Sequence, residues 1–359
     1  MDLPADPTVK RWLNVLAAIV VVCLTFWLGR RSVSHEPETR YVGTPVSVAA
    51  TDQANGSTQL WAHNLLLRKG AHFRVYIHWL RGRMLRTNKD RVPSFDVPES
   101  FVLGIDKGVA DVKLADLADF LNSDSQGKPP LKNLSVENHD GELQIKGMAR
   151  KGLWLPVRLD GELSPTNDGR VRFHLKKLNV LKIPLKGLFG LFHIELSDLV
   201  PKDPLAGVQL ADNDIYFDTL KLLPPPHIHG TISSVQVSGD HLRVIYGNAK
   251  ADEERMAQWH NFLRLSGGSL SFGKLTMNDA DLTLIDASTD PWFDLDLANY
   301  QAQLVYGTTR MTSRAGVEVY MPDLDHLPPT AAKAPQAVSL EWLKNRQTSP
   351  PLEVAPPKH

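Results

Sequence analysis

Apolar and polar positions alternate along most of this chain. Phe73, Val75, Ile77 and Trp79 interleave with Arg74, Tyr76 and His78, a period of two that sets one strand face against a core. The alternation returns at Leu134 and Val136. It resumes at Leu143 and Ile145 beyond a turn at Asn138-His139-Asp140-Gly141, and again at Leu153, Leu155, Val157, Leu159, Gly161 and Leu163. Asn167-Asp168-Gly169 predicts a hairpin turn before Val171, Phe173 and Leu175. Further strands are predicted over 214–222, 230–237, 241–246, 269–277, 280–286, 293–306 and 317–320. One apolar and one polar face per strand predicts a meandering antiparallel sheet with one sheltered side.

Helical spacing interrupts this pattern in three places. After a strand-like Phe101–Asp106, Leu114, Leu117, Ala118 and Leu121 share one face of a short helix that ends before Gly127-Lys128-Pro129-Pro130. Between Pro184 and Pro201, Leu185, Leu188, Phe189, Phe192, Leu196 and Leu199 recur every three or four residues. Gly187 and Gly190 each cost that helix about 1 kcal/mol but would let it approach another element closely. Met256, Trp259, Phe262 and Leu263 suggest one further short helix.

Trp12–Leu28 is a run of 17 uncharged residues, about 25 Å as a helix. Lys10 and Arg11 precede it, Arg30 and Arg31 follow it, and Trp12 and Trp27 sit where interfacial aromatics belong, so a single transmembrane helix is expected. A cleaved leader needs small residues at a cleavage site, but Gly29-Arg30-Arg31 follows the run directly. A lipoprotein signal needs a small residue before Cys23, where Val22 stands. The flanking basic charges are balanced and leave the orientation open. The predicted organisation is an N-terminal stub and anchor (1–31), a tether (32–56), a β-rich domain (57–250), a β-rich extension (251–322) and a Pro-rich tail (323–359). Within the tail only Ser339–Arg346 has the pattern of a helical turn or two.

The 359 residues allow two or three domains at roughly 150 residues each. An apolar content of 42% excludes wholesale disorder, and a single cysteine excludes a disulfide framework. Forty basic residues balance forty acidic ones, so no global polycation is available for nucleic acid. Charge is nevertheless uneven. Leu65–Arg91 carries Arg68, Lys69, Arg74, Arg81, Arg83, Arg86, Lys89 and Arg91 against Asp90 alone. Two readings stand side by side. Arg68, Lys69, Arg74, Arg81, Arg83 and Arg86 form a surface for anionic lipid, or they are a solvated face protecting a strand edge. Spaced base-stacking aromatics and a helical docking motif are both missing, so nucleic acid is not an expected partner.

Catalytic signatures are absent. The chain has no Gly-x-Ser-x-Gly, His-Glu-x-x-His or Gly-x-Gly-x-x-Gly. Gly268–Lys274 matches the first seven positions of a phosphate-binding loop, but Leu275 replaces the Mg²⁺-binding Ser or Thr and the context is strand-like. His227 and His229 lack further metal ligands nearby, and Asp281, Asp286, Asp290, Asp294 and Asp296 do not follow a calcium-loop spacing. These carboxylates are expected to be solvated. The expectation is therefore a non-enzyme with no cofactor and no metal.

A resemblance rests on a longer succession. KLADLADFLNS is followed by NHDGELQIKG, then by VRLDGELSPTNDGRVRFHLKKLNV and a proline-bracketed apolar helix, and last by NDIYFDTLKLLPPPHIHGTISSVQVSGDHLRVIYG. Over about residues 100–247 this resembles bacterial envelope proteins of the tubular lipid-binding (TULIP) superfamily. SGGSLSFGKLTMNDADLTLID is similar to strand repeats of AsmA-type envelope proteins. The resemblance implies a strand-dominated α+β fold, in which a long curved antiparallel sheet wraps around one or two helices and leaves a groove for a lipid tail. Leu117, Phe120, Leu121, Leu185, Leu188, Phe189 and Phe192 are the candidate lining, and filled core is the alternative reading of the same apolar faces. It also implies a single-pass protein of the bacterial inner membrane with its bulk in the periplasm. Its expected partners are membrane lipid or another apolar ligand, and envelope proteins. The alternative is a non-catalytic scaffold or docking subunit of an envelope complex with a closed core.

Overall fold

A computed structural model describes residues 56–68, 73–88, 90–123, 131–151, 153–180, 207–222, 225–250, 260–329 and 331. The expected anchor at 12–28, the apolar helix at 184–201 with Leu185, Leu188, Phe189 and Phe192, the segment at 339–346, and Lys69 lie outside these residues. Among the described residues, no helix is long and apolar enough to cross a membrane.

Three long strands come first among the described residues: β1 (Thr58–Arg68), β2 (Arg74–Arg86) and β3 (Phe101–Lys113). They pair antiparallel in the order β1-β2-β3. Helix α1 (Leu114–Ser123) follows, then β4 (Leu131–His139), β5 (Glu142–Lys151), β6 (Leu153–Pro165) and β7 (Val171–Val180). Short β8 (Val208–Ala211) and β9 (Asp214–Phe217) complete a six-stranded antiparallel sheet ordered β4-β5-β6-β7-β9-β8. Asp140 and Gly141, at φ 55° and 85°, make the two-residue turn between β4 and β5. Positive φ at both central residues matches the right-handed twist of the flanking strands.

After α2 (Thr219–Leu222) come β10 (His227–Gly230), β11 (Ile232–Ser238), β12 (His241–Tyr246) and β13 (Phe262–Ser266). The hairpin β14 (Leu270–Phe272) and β15 (Leu275–Met277) stands apart as a two-stranded sheet. Strands β16 (Asp281–Asp286) and β17 (Phe293–Asp296), helix α3 (Tyr300–Val305), and β18 (Thr308–Met311) and β19 (Val317–Met321) follow. The larger sheet has eleven strands, with β11-β12-β3-β2-β1-β13-β16-β19-β18 as its path and β10 and β17 attached to β3 and β1.

The fold is thus strand-dominated, as the alternation predicts, but the larger sheet is mixed. Parallel pairs join β1 to β17, β3 to β10 and β16 to β19, which corrects the expectation of a wholly antiparallel sheet. The sheet also runs across residue 250, uniting strands on both sides of the predicted boundary. Phe262 and Leu263 lie in β13 rather than in a helix, and Tyr300–Val305 forms a helix inside the predicted strand 293–306. Thr219–Leu222 is likewise helical, cutting short the strand predicted over 214–222.

Among the described residues two large apolar cores result, beside a small third cluster of Ala302, Leu324, Leu327 and Ala331. The first lies on the inner face of the large sheet and includes Met84, Leu265, Leu282, Phe293 and Met321, all fully buried. Each such side chain contributes about 1.5–3 kcal/mol of transfer free energy. In the second, Leu114 and Ala118 of α1 pack on Leu143, Leu155, Val157 and Phe173 of the six-stranded sheet. Asn122, near the end of α1, accepts from the Leu134 backbone N–H and donates to its carbonyl, both at 2.8 Å, tying the helix to β4.

Candidate functional site

The inner face of β1-β2-β3 holds an apolar cavity. Its wall follows from one local conformation. Asn64 has φ 46°, which reverses the sense of alternation in β1, so Leu60 and Ala62 before it and Leu65 and Leu67 after it all line the cavity. Strand β2 switches in step. Its pairing with β3 slips between Ile77 and Trp79, and Val75 and Ile77 line the cavity on one side of the slip, Leu80 on the other. Trp79 is thereby turned out of the face that period two predicts for it. It is buried elsewhere, its Nε1 donating to the Lys250 carbonyl at 3.2 Å.

Strand β3 contributes Phe101, Leu103, Ile105 and Ala110, with Gly104 among them. Its outer edge divides between two partners, β10 along Val102–Ile105 and β12 along Gly108–Lys113. The outer edge of β1 divides in the same way, between β13 along Gln59–His63 and β17 along Leu65–Arg68. The flanking strands turn Ile228, Leu263 and Leu295 into the cavity, and Phe95 and Pro98 come from the β2–β3 connection.

The space exists because small residues stand between large ones. Ala62 is flanked in register by Leu80 and Leu263, and Ala110 by Ile77 and Val244. The empty space, including that at the mouth, is about 840 Å³, of which about 70 Å³ admits the centre of a water molecule. Arg83 is the one charged residue of the described lining, and no described lining side chain is a nucleophile or a general base. The described lining offers apolar shelter from water.

The helix residues expected to line a groove are placed differently. Phe120 is buried in the first core, its ring 4.9 Å from that of Phe73. Leu121 packs partly buried between the two cores and Leu117 against the second. Most of the described lining comes from strands. Its signal in the sequence is the set Ala62, Gly104 and Ala110, small residues placed at or beside the inward positions of neighbouring strands.

The basic run divides as well. Arg68 is locked between Asp294, with Nε to Oδ1 at 2.7 Å, and Asp325 at 2.8 Å. Burial pulls its pKa down, but the bonds to these two carboxylates outweigh that and hold it above the usual arginine value. Arg74 stands opposite Arg68 in register. Arg81 lies over the Trp61 ring at 5.7 Å, with Arg264 over the same ring at 5.7 Å. Arg83 donates through Nη2 to both oxygens of Asp106, at 2.9 and 3.1 Å. Arg86 pairs in register with Phe101.

Two polar clusters lie outside the cavity. Asp111 accepts from Arg243 Nε and Nη2, both at 2.9 Å, and meets His78 Nε2 at 2.8 Å. Burial pushes this carboxyl up, yet Arg243 and His78 together hold it well below the usual carboxylate range. At the opposite side of β1, Asp290, Asp323 and His326 bring ligand-type atoms within 4.8 Å of one another. Burial, then the Asp286 and Asp290 carboxyls, push Asp323 up to about 6. Asp294 and Asp296 are buried, which corrects the expectation that this run of carboxylates is solvated. Asp294 meets Arg68, and Asp296 Oδ1 accepts from the backbone N–H groups of Ala298 and Asn299 at 2.8 and 3.0 Å. His227 and His229 flank Ile228 on β10, where Ile228 serves the cavity.

No protein family, curated protein or solved structure matches the chain.

Proposed function

We propose that the protein is a single-pass, membrane-anchored envelope protein that binds or transfers lipid, or another apolar ligand, in the cavity on the inner face of β1-β2-β3. The observation that carries this reading is a partly open, almost wholly apolar space within the first core. A methylene leaving a bilayer needs about 0.8 kcal/mol of shelter, so a sixteen-carbon chain needs about 12 kcal/mol. An apolar wall of Leu, Ile, Val and Phe side chains offers shelter of this kind to the part of a chain that enters it, and the uncharged run Trp12–Leu28 would keep it beside the source of ligand. The curved sheet and envelope location implied by the TULIP resemblance, in the bacterial inner membrane with the body in the periplasm, belong to the same reading.

The test is to purify the full-length protein from membranes in mild detergent and identify bound lipid by native mass spectrometry and extraction. Near-stoichiometric acyl-chain ligand, lost when Ala62→Leu fills the cavity, is the expected result. Ligand-free protein in repeated preparations, with no uptake of added lipid, would leave a tethered scaffold with a closed core.

A further inference from the structure

The outer face of the six-stranded sheet gathers positive charge at one end. Leu131, Ala149, Leu155 and Val157 turn towards the second core. The residues that alternate with them therefore lie on the other face: Lys132 on β4, Met148 and Arg150 on β5, and Trp154, Pro156 and Arg158 on β6. Register sets them side by side, with Lys132 opposite Met148, Met148 opposite Pro156, Arg150 opposite Trp154 and Lys146 opposite Arg158. These three rows on three strands cover about 10 Å by 14 Å. Arg150 is exposed, and the others are partly exposed.

Lys132, Lys146, Arg150 and Arg158 form one ion pair among the described residues, that of Lys146 with Glu137 at 2.5 Å. Further along the same face the balance reverses. Asp160 accepts from Gln144 Nε2 at 2.6 Å, and Glu142 and Glu162 both meet Lys176. The four cations lie within about two Debye lengths of one another at physiological salt, so their fields overlap. The side chains between them are apolar: Trp154, Met148 and Pro156, with Lys132 Nζ 4.0 Å from the centre of the Trp154 ring. Tryptophan rings concentrate at the headgroup level of a bilayer, and Lys and Arg lay their stems on apolar surface while their charged ends reach lipid phosphates. No residue of β4, β5 or β6 is among those described as lining the cavity, so this is a separate surface.

We propose, resting on the membrane-anchored reading above, that this face docks the body of the protein on an anionic phospholipid surface. Lys132, Lys146, Arg150 and Arg158 meet headgroup phosphates, and Trp154, with Met148 and Pro156, enters the interfacial layer. The anchor expected at 12–28 makes the contact intramolecular, so a surface of modest intrinsic affinity is enough. The acidic end of the same face turns away from the bilayer, which fixes the sense in which the sheet tilts.

The test uses the full-length protein carrying Cys23→Ala, so that a nitrobenzoxadiazole dye attaches only to an introduced thiol. The thiol comes from Met148→Cys in the basic patch or from His139→Cys at the acidic end. Each protein is reconstituted into nanodiscs of phosphatidylcholine alone, or of two parts phosphatidylcholine to one part phosphatidylglycerol. The dye at position 148 is expected to brighten at least twofold and shift to the blue when phosphatidylglycerol is present, and the dye at position 139 to stay unchanged. Lys132→Gln with Arg150→Gln should abolish the response, while Lys132→Arg with Arg150→Lys should keep most of it. Salt at 1 M, where the Debye length is about 3 Å, should at least halve it. The lipid-surface proposal would be overturned by no response to phosphatidylglycerol, by an equal response at position 139, or by an equal response to soluble polyglutamate in phosphatidylcholine discs, which would point to an acidic protein partner. Each of these leaves the anchor standing. Protein that enters discs of neither composition would remove the anchored reading itself.

Discussion

Gly82 approaches Gly104 so closely that a Cβ on Gly82 would lie 2.2 Å from the Gly104 carbonyl oxygen. The contact falls where the β2–β3 register shifts between Arg81 and Gly82, beside the cavity wall formed by Leu80 and Ile105. Backbone faces backbone, so no side chain can swing aside to make room. Gly82→Ala should cost about 2–4 kcal/mol, in the range of overpacked and strained sites. It should also force β2 from β3 and weaken ligand retention. Denaturant unfolding of the full-length protein in micelles reads the first effect and lipid extraction the second. A change below about 0.5 kcal/mol would mean that the strands part here without strain.

Ala62 separates a cavity from a filled core. It stands in register between Leu80 and Leu263 and is buried at 4% exposure. Ala62→Leu places three more carbons in the empty space. Filling a void in this way typically adds about 0.5–2 kcal/mol of stability. The variant is expected to melt at a higher temperature than the parent and to lose bound lipid. A lower melting temperature would show that the space is too narrow to receive the added atoms.

What the sequence discloses about this fold is what short-range rules control. Period-two alternation finds β4 to β7, and Asp140-Gly141 marks their first turn, because strand faces and positive-φ turns are decided within a few residues. The parallel pairing of β10 with β3 and of β17 with β1 is different. These four-residue strands join partners more than a hundred residues away, and their own sequences hold no trace of the partner. The reversal at Asn64 is hidden for a related reason. A single left-handed residue flips every inward position after it, so Leu65 and Leu67 break the alternation that Leu60 and Ala62 begin. The run at 293–306 fails as one strand because Asp296 Oδ1 accepts from the N–H groups of Ala298 and Asn299, stopping β17 just before α3 begins.

Phe120 tests the reassignment of the helix residues from groove to core. It is 3% exposed and packs on Phe73, and it is not among the described residues that line the cavity. Phe120→Ala should cost about 3–5 kcal/mol, the usual range for a buried aromatic. At temperatures where the variant stays folded, bound lipid should match the parent. Loss of lipid without loss of stability would return α1 to the ligand site.

Asp323 makes the stability of the protein depend on pH. Its residue is 4% exposed, and it shares its surroundings with Asp286, Asp290 and Asp294, with His326 at 3.6 Å. Burial and these like charges raise its pKa from 3.8 to about 6, so the folded state holds a proton that the unfolded chain has already released. Its contribution to stability is therefore complete below pH 4, falls as pH rises towards 6, and is fully lost above that. The loss is on the order of 2–3 kcal/mol. Asp111 has the opposite sign: its lowered pKa gives stability that is present at neutral pH and disappears only in strong acid. Asparagine at 323 keeps an oxygen to accept the Asp294 backbone N–H and carries no charge at any pH. Asp323→Asn should therefore stabilise the protein at pH 8 and change it little at pH 4, where the parent is already protonated. Melting temperatures at pH 4, 6 and 8 measure this directly, and a gain of equal size at all three would show that the effect is one of packing, not of ionisation.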